Sequence, residues 1–242
     1  MSVDLETRPQ ALVLGGTGAV GGAVLRALAE RGISAAFTYC NSDKRASVLE
    51  KELGGHGYHS DFLKVDCMRV LVSALSNDQR MPSVLIHCAG VSSVWPIENI
   101  SDESWSRTVD INGRSAFLAA REFAPYMAKK GGGSMVFVGG IDRTQSVSAP
   151  VDYAASQGML SGLTMALAKE LGSKKILVNM IALGLLDEGL SSEITPELVQ
   201  DYKKYSALRR VSDSDEVAKV ITWLSLENTY ISGKVVPVNG GV

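Results

Sequence analysis

Ala11-Leu-Val-Leu-Gly-Gly-Thr-Gly-Ala-Val-Gly-Gly-Ala-Val-Leu25 decides the reading of this chain. An apolar run ends at Leu14, glycines follow at Gly15, Gly18 and Gly21, and residues 23–30 carry a helical pattern. Strand, glycine turn and helix in that order form the phosphate-cradling start of a dinucleotide-binding fold. Glycines let the backbone turn sharply and approach a pyrophosphate with no Cβ in the way. The start of the helix offers unpaired N–H groups and partial positive charge to the anion. Taken alone, the same stretch also reads as an ordinary glycine-rich strand–helix turn with no ligand.

Working outward, apolar and helical segments alternate to the end of the chain. Strands are predicted at 33–39, 57–61, 84–88, 134–138, 176–181 and 234–238. Helices are predicted at 43–53, 64–75, 101–130 and 153–171, with two more starting near 196 and ending at 226. Ser101 reads as the cap of the long helix, Gly131–Gly133 as its stop and Thr195-Pro196 as a helix start. Ser212-Asp-Ser-Asp215 reads as a capping box. Pro237 puts the last strand at an edge or a strand end. The strands are continuous apolar runs, the pattern of a parallel sheet covered on both faces. The expected fold is α/β: a single domain over 1–242, Rossmann-like, with a doubly wound parallel sheet and helices on both faces. Such sheets take ligands beyond the carboxyl ends of their strands, so the residues just after each strand are the candidates.

Bulk properties narrow the function classes. A chain of 242 residues, 45% hydrophobic and 21% charged, is an ordinary globular composition. A formal charge of −2 supplies no basic stripe for nucleic acid. No apolar window approaches a membrane span, and the first ten residues lack the apolar core of a signal peptide. Cys40, Cys67 and Cys88 are widely spaced, which suggests neither a disulfide framework nor a zinc site and fits a reducing, cytoplasmic compartment. No metal is expected. The methionines, among them Met159, Met165 and Met180, read as core filler.

Several landmarks in order resemble the short-chain dehydrogenase/reductase family. Beside the glycine turn stand Asp61-Phe62, similar to the family's adenine-contacting pair, and His87-Cys88-Ala89-Gly90, where the family has Asn-Asn-Ala-Gly. Asp110-Ile-Asn112 resembles its Asn-bearing helix, and Tyr153-Ala-Ala-Ser-Gln157 falls where it has Tyr-x-x-x-Lys. The ending Gly233-Lys-Val-Val-Pro-Val-Asn-Gly-Gly241 resembles that of bacterial 3-oxoacyl-acyl-carrier-protein reductases. The resemblance implies cofactor contacts at Gly15, Thr17, Gly18, Gly21, Asn41, Asp61, Phe62, Ala89, Gly90 and Gly184. It implies a catalytic set in which a Tyr protonates the substrate oxygen, a Lys lowers its pKa, a Ser binds the carbonyl and an Asn supports a water relay. Tyr153 and Asn112 are in place. The Lys position holds Gln157, the Ser position Gly140, and the expected proline before Gly184 is Leu183, so the catalytic motif is degenerate. Glu188 stands near the position of a cofactor-contacting Thr.

Each departure has a physical meaning. Residues four apart on a helix share a face, so Gln157 sits beside Tyr153, and a neutral amide there removes the cation that lowers a phenol pKa. Gln157 can still bond ribose hydroxyls. Gly140 removes an electrophilic donor, a loss of roughly 10²–10³-fold; Ser146 or Ser148 would have to replace it. Asn112 serves either a relay or a structural bond to neighbouring main chain. The second strand ends in Tyr39-Cys40-Asn41-Ser42 with no carboxylate until Asp43, and Lys44 and Arg45 follow. That favours NADP(H) over NAD(H), the alternative being a solvated helix start. A carboxylate at Glu188 facing the pyrophosphate would weaken either cofactor. Three functions remain open: ketoreduction of an acyl-thioester-like or small carbonyl substrate, a nucleotide-binding or structural subunit of a hetero-oligomer, and another reaction on the same scaffold. The resemblance also implies a homotetramer, or a hetero-oligomer with a related subunit, through the helices near 101–130 and 151–171. Residues 185–210 are expected to cover the site.

Overall fold

The computed structural model describes residues 10–93, 95–140 and 149–242. Its strands are β1 (Ala11–Leu14), β2 (Ala35–Tyr39), β3 (His56–His59), β4 (Val84–His87), β5 (Gly133–Gly140), β6 (Ile176–Leu183) and β7 (Val235–Val238). They form one seven-stranded parallel sheet in the order β3-β2-β1-β4-β5-β6-β7. The α-helices are α1 (Ala19–Glu30), α2 (Asp43–Leu53), α3 (Cys67–Asn77), α4 (Asp102–Val109), α5 (Ser115–Lys129), α6 (Val151–Leu171), α7 (Pro196–Tyr205) and α8 (Ser214–Leu226). This is the expected doubly wound α/β architecture.

Two dry faces explain the strand pattern. Leu12 and Leu14 of β1 pack with Leu75 of α3, Phe123 of α5 and Leu160 of α6, while Ala11 and Val13 pack with Leu28 of α1, Leu49 of α2 and Ile221 of α8. Alternate side chains point to opposite faces, so a strand covered on both has little place for a polar residue. The edge strand β3, His-Gly-Tyr-His, departs from this because much of it meets water. The proline-bearing β7 lies at the opposite edge, as Pro237 predicts.

The direction of winding reverses between β1 and β4, opening a crevice beyond their carboxyl ends. Gly15 closes its floor. Its φ is +80°, and an added Cβ would lie 2.8 Å from the main chain of Ala89. Only glycine satisfies both demands.

Some sequence expectations need correction. The helix predicted for 101–130 is capped by Ser101, whose Oγ accepts the Ser104 N–H, but a π turn at Asp110–Arg114 separates α4 from α5. The helix predicted from residue 64 starts at Cys67, because the Asp61 side chain accepts the Leu63 N–H and its carbonyl the Lys64 N–H, a turn that competes with helix. The capping box of α8 is Asp213 with Glu216, one residue later than predicted. Ser212 is held instead by main-chain bonds to Leu185 and Asp187. Met180 is core, but Met159 and Met165 are exposed on α6. Among the described residues no helix is long and apolar enough to cross a membrane.

Candidate active site

A cavity of ≈ 440 Å³ lies beyond the strand ends, and the glycine turn, the β4 loop, the end of β5, α6 and the segment after β6 all contribute to its wall. Of the residues singled out from sequence, Gly18, Ala89, Gly90, Asn112, Gly140, Tyr153, Gln157 and Gly184 line it. Gly15, Thr17, Gly21, Asn41, Asp61 and Phe62 lie outside that lining. Gly21 acts from below: an added Cβ would run into the Gly15 carbonyl. Phe62 is buried with its ring 6.4 Å from that of His87, Asn41 is exposed, and the Asp61 carboxylate is bonded to the Leu63 N–H. Ser146 and Ser148 fall outside the described residues.

Tyr153, on the first turn of α6, turns its hydroxyl to the end of β5. An added Cβ on Gly140 would stand 2.6 Å from that oxygen. Burial pushes the phenol up to about 12, opposed by a main-chain contact with Gly140. The phenol is therefore neutral near pH 7 and available as a proton donor.

Gln157 shares the helix face with Tyr153, as its spacing predicts, but its amide turns toward β5 rather than away from it. Its Oε1 accepts the Gly140 N–H at 3.1 Å and its Nε2 donates to Ser156 Oγ at 3.2 Å. Both ends of the amide thus hold protein groups. A Cβ on Gly139 would collide with the Gln157 oxygen, which explains a second glycine there.

Asn112 is delivered by the π turn. Its Oδ1 accepts the Val91 N–H at 2.8 Å, and its Nδ2 donates to the Val91 carbonyl and to Ser156 Oγ, both at 2.9 Å. It clamps the loop after β4 to α6. The π turn has its own support. Ser115 Oγ donates to the Ile111 carbonyl at 2.6 Å and lies 2.6 Å from His87 Nε2. The serine has one proton, so Nε2 of His87 carries the other. Among the described residues His87 Nδ1 is buried without a partner, and burial lowers the His87 pKa to about 4.

The sequence reading passed over Asp152. Its buried carboxylate accepts from Ser93 Oγ at 2.7 Å, Thr108 Oγ1 at 2.9 Å and the Tyr153 N–H at 2.9 Å. It ties the β4 loop and α4 to the start of the helix bearing Tyr153. The available signal was an acidic residue in a helix first turn directly before that tyrosine.

The wall is mixed in chemistry. Gly18, Ala19 and Val20 of the α1 turn reach it, and α1 has neither a side-chain cap nor an acidic residue in its first turn. Free N–H groups there suit an anion such as a dinucleotide diphosphate. The segment after β6 adds an apolar stretch of wall, with Leu185, Leu186, Leu190, Ile194 and Leu198. Tyr202 closes this side, donating to the Asn239 carbonyl at 2.6 Å, and a Cβ on Gly184 would strike its hydroxyl.

Comparison with known proteins agrees with this geometry. Residues 16–242 match the family model described as enoyl-(acyl carrier protein) reductase. The 3-oxoacyl-[acyl-carrier-protein] reductase MabA of Mycobacterium tuberculosis is 28% identical over 232 residues, covering 96% of this chain and 91% of that protein. A short-chain type dehydrogenase/reductase from Mycobacterium ulcerans superposes with a TM-score of 0.88 at 28% identity, over 96% of this chain and 88% of the other. A short-chain dehydrogenase/reductase variant from Serratia marcescens gives 0.87 at 26% identity, over 97% and 99%. A crevice beyond the strand ends, a tyrosine in its wall and these similarities converge: the chain belongs to the short-chain dehydrogenase/reductase family, oxidoreductases that use NAD(P)(H), and is distantly similar to the 3-oxoacyl-acyl-carrier-protein reductases.

Proposed function

We propose that the chain reduces an acyl-thioester-like or small carbonyl compound with NADPH, using Tyr153 as proton donor in an altered active site. One observation carries this reading: Tyr153 and the anion-receptive turn of α1 face the same cavity. NADPH, when bound, supplies the hydride. The protein's part is to hold the phenol proton, which burial secures, and to orient α6 through Asn112 and Asp152. The apolar wall after β6 suits the carbon chain of the substrate. Preference for NADP(H) is supported by the exposed Asn41, Lys44 and Arg45 beyond β2, where the first carboxylate, Asp43, comes only in the first turn of α2. The proposed adenine contacts at Asn41, Asp61 and Phe62 belong to that same end.

The mutual engagement of Gly140 and Gln157 favours a second reading, a nucleotide-binding or structural subunit of a hetero-oligomer. With its amide held by the protein, Gln157 brings no charge to Tyr153. Assembly as a homotetramer, or with a related subunit, is supported by exposed apolar side chains on the helices around the site: Trp105, Phe117, Tyr126, Met159 and Met165.

The deciding experiment titrates NADPH and NADH by quenching of intrinsic fluorescence, then follows NADPH oxidation with β-ketoacyl thioesters. Micromolar NADPH binding with turnover that Tyr153→Phe abolishes is expected. Binding without turnover by any carbonyl tested selects the subunit reading. Absence of binding at millimolar nucleotide overturns both nucleotide-dependent readings.

A further inference from the structure

The cradle at the start of α1 holds a group of the wrong sign for its anion. Glu188 and Gly189 line the same cavity as Gly18, Ala19 and Val20. Gly189 comes close: at φ +72°, an added Cβ would lie 3.3 Å from the Ala19 Cβ. The backbone of this segment is stitched down. The Asp187 N–H donates to the Ser212 carbonyl at 3.1 Å, the Ser212 N–H to the Leu185 carbonyl at 3.2 Å, and the Leu186 N–H to Ser191 Oγ at 3.1 Å. Glu188 is exposed, but its Oε1 accepts from Ser214 Oγ on the first turn of α8, which tethers the side chain. Its charge is only partly offset: Arg26 of α1 is attracted to Glu188 through space. The close partner of Arg26 is nevertheless Glu52, at 2.8 Å, and among the described residues no Lys or Arg forms an ion pair with Glu188 within 4.0 Å.

We propose that Glu188 acts as an electrostatic brake on nucleotide binding, its tethered carboxylate opposing a diphosphate at the start of α1. The inference rests on the dinucleotide reading above and names the residue that sets its affinity. The α1 turn attracts the diphosphate through free N–H groups and the helix dipole. A fixed negative charge on the facing wall subtracts from that attraction, and does so selectively for the anionic centre of the dinucleotide. Ser214 is part of the device, because it holds the carboxylate at the wall.

The test compares wild type with Glu188→Gln, which keeps the shape and can still bond Ser214. NADPH and 2′-AMP, which lacks the diphosphate, are titrated by calorimetry at two ionic strengths. The expected result is NADPH binding about tenfold tighter in the variant, with 2′-AMP no tighter. Salt should also weaken NADPH binding less in wild type than in the variant, since it screens the repulsion along with the attraction. Wild-type binding of NADPH that Glu188→Gln leaves unchanged or weakens overturns this inference and leaves the dinucleotide reading standing. Equal tightening of both ligands overturns the claim that the diphosphate is opposed. Failure of both proteins to bind NADPH at millimolar concentration overturns the inference and the dinucleotide reading together. If the variant unfolds, Ser214→Ala and the wild-type salt dependence decide: salt weakening wild-type binding as steeply as it weakens the Ser214→Ala protein's overturns the brake.

Discussion

At the scale of single residues, the centre of the site is built on glycines as much as on functional groups. Tyr153 Oη occupies space that a side chain at position 140 would need, 2.6 Å from where its Cβ would stand. Restoring the family's serine alone should therefore displace the tyrosine. Gly140→Ser is expected to destabilise the protein by about 1–3 kcal/mol through overpacking, without a gain in turnover. A denaturation midpoint equal to wild type would show that the hydroxyl is not seated there. His87 carries the clearest pH dependence. Its pKa is lowered from 6.5 to about 4 in the folded protein by burial. Between those values the unfolded chain binds a proton that the folded one refuses, so stability falls as pH drops from 6.5 toward 4. The loss is on the order of 3 kcal/mol. Melting curves at pH 7 and pH 5 for wild type and His87→Phe check this: the variant should lose much of the difference.

Among elements, the site depends on how α6 is anchored. Its first turn carries both Tyr153 and the buried Asp152, whose carboxylate gathers donors from the β4 loop, α4 and its own helix. Removing it leaves buried hydroxyls on Ser93 and Thr108 without an acceptor. Asp152→Ala should destabilise by about 1–3 kcal/mol or more and should raise KM and lower kcat together, since the tyrosine moves with its helix. Asp152→Asn keeps an acceptor and should recover part of the stability; equal loss in both variants would show that the bonding is not what matters. The π turn between α4 and α5 plays the matching role on the other side, delivering Asn112 to Val91 and Ser156. Neither anchor was legible in the chain. A π turn has no composition signal distinct from helix, and Asp152 reads as an ordinary first-turn acid until α4 is packed against it.

For the whole molecule, binding and folding are linked. A ligand that fills a cavity walled by the α1 turn, the β4 loop, α6 and the segment after β6 joins parts far apart in sequence. NADPH at a hundred times its Kd should stabilise the fold by about 2.7 kcal/mol, seen as a raised melting temperature. No shift at saturating nucleotide would contradict a preformed site. The sequence by itself determined the architecture: the strand–glycine–helix opening, the dry apolar strands and the position of Pro237 are local signals, each read from neighbours in the chain. It also determined that Tyr153, Gln157 and Asn112 belong to one region. Only the tertiary structure decided what those side chains hold: that Gln157 bonds Gly140 rather than facing open space, that Asn112 clamps Val91, and that Glu188 shares a wall with α1. The physical reason is range. Periodicity and turn chemistry act over a few residues, whereas a hydrogen-bond partner or a facing charge is chosen by packing between segments dozens of residues apart.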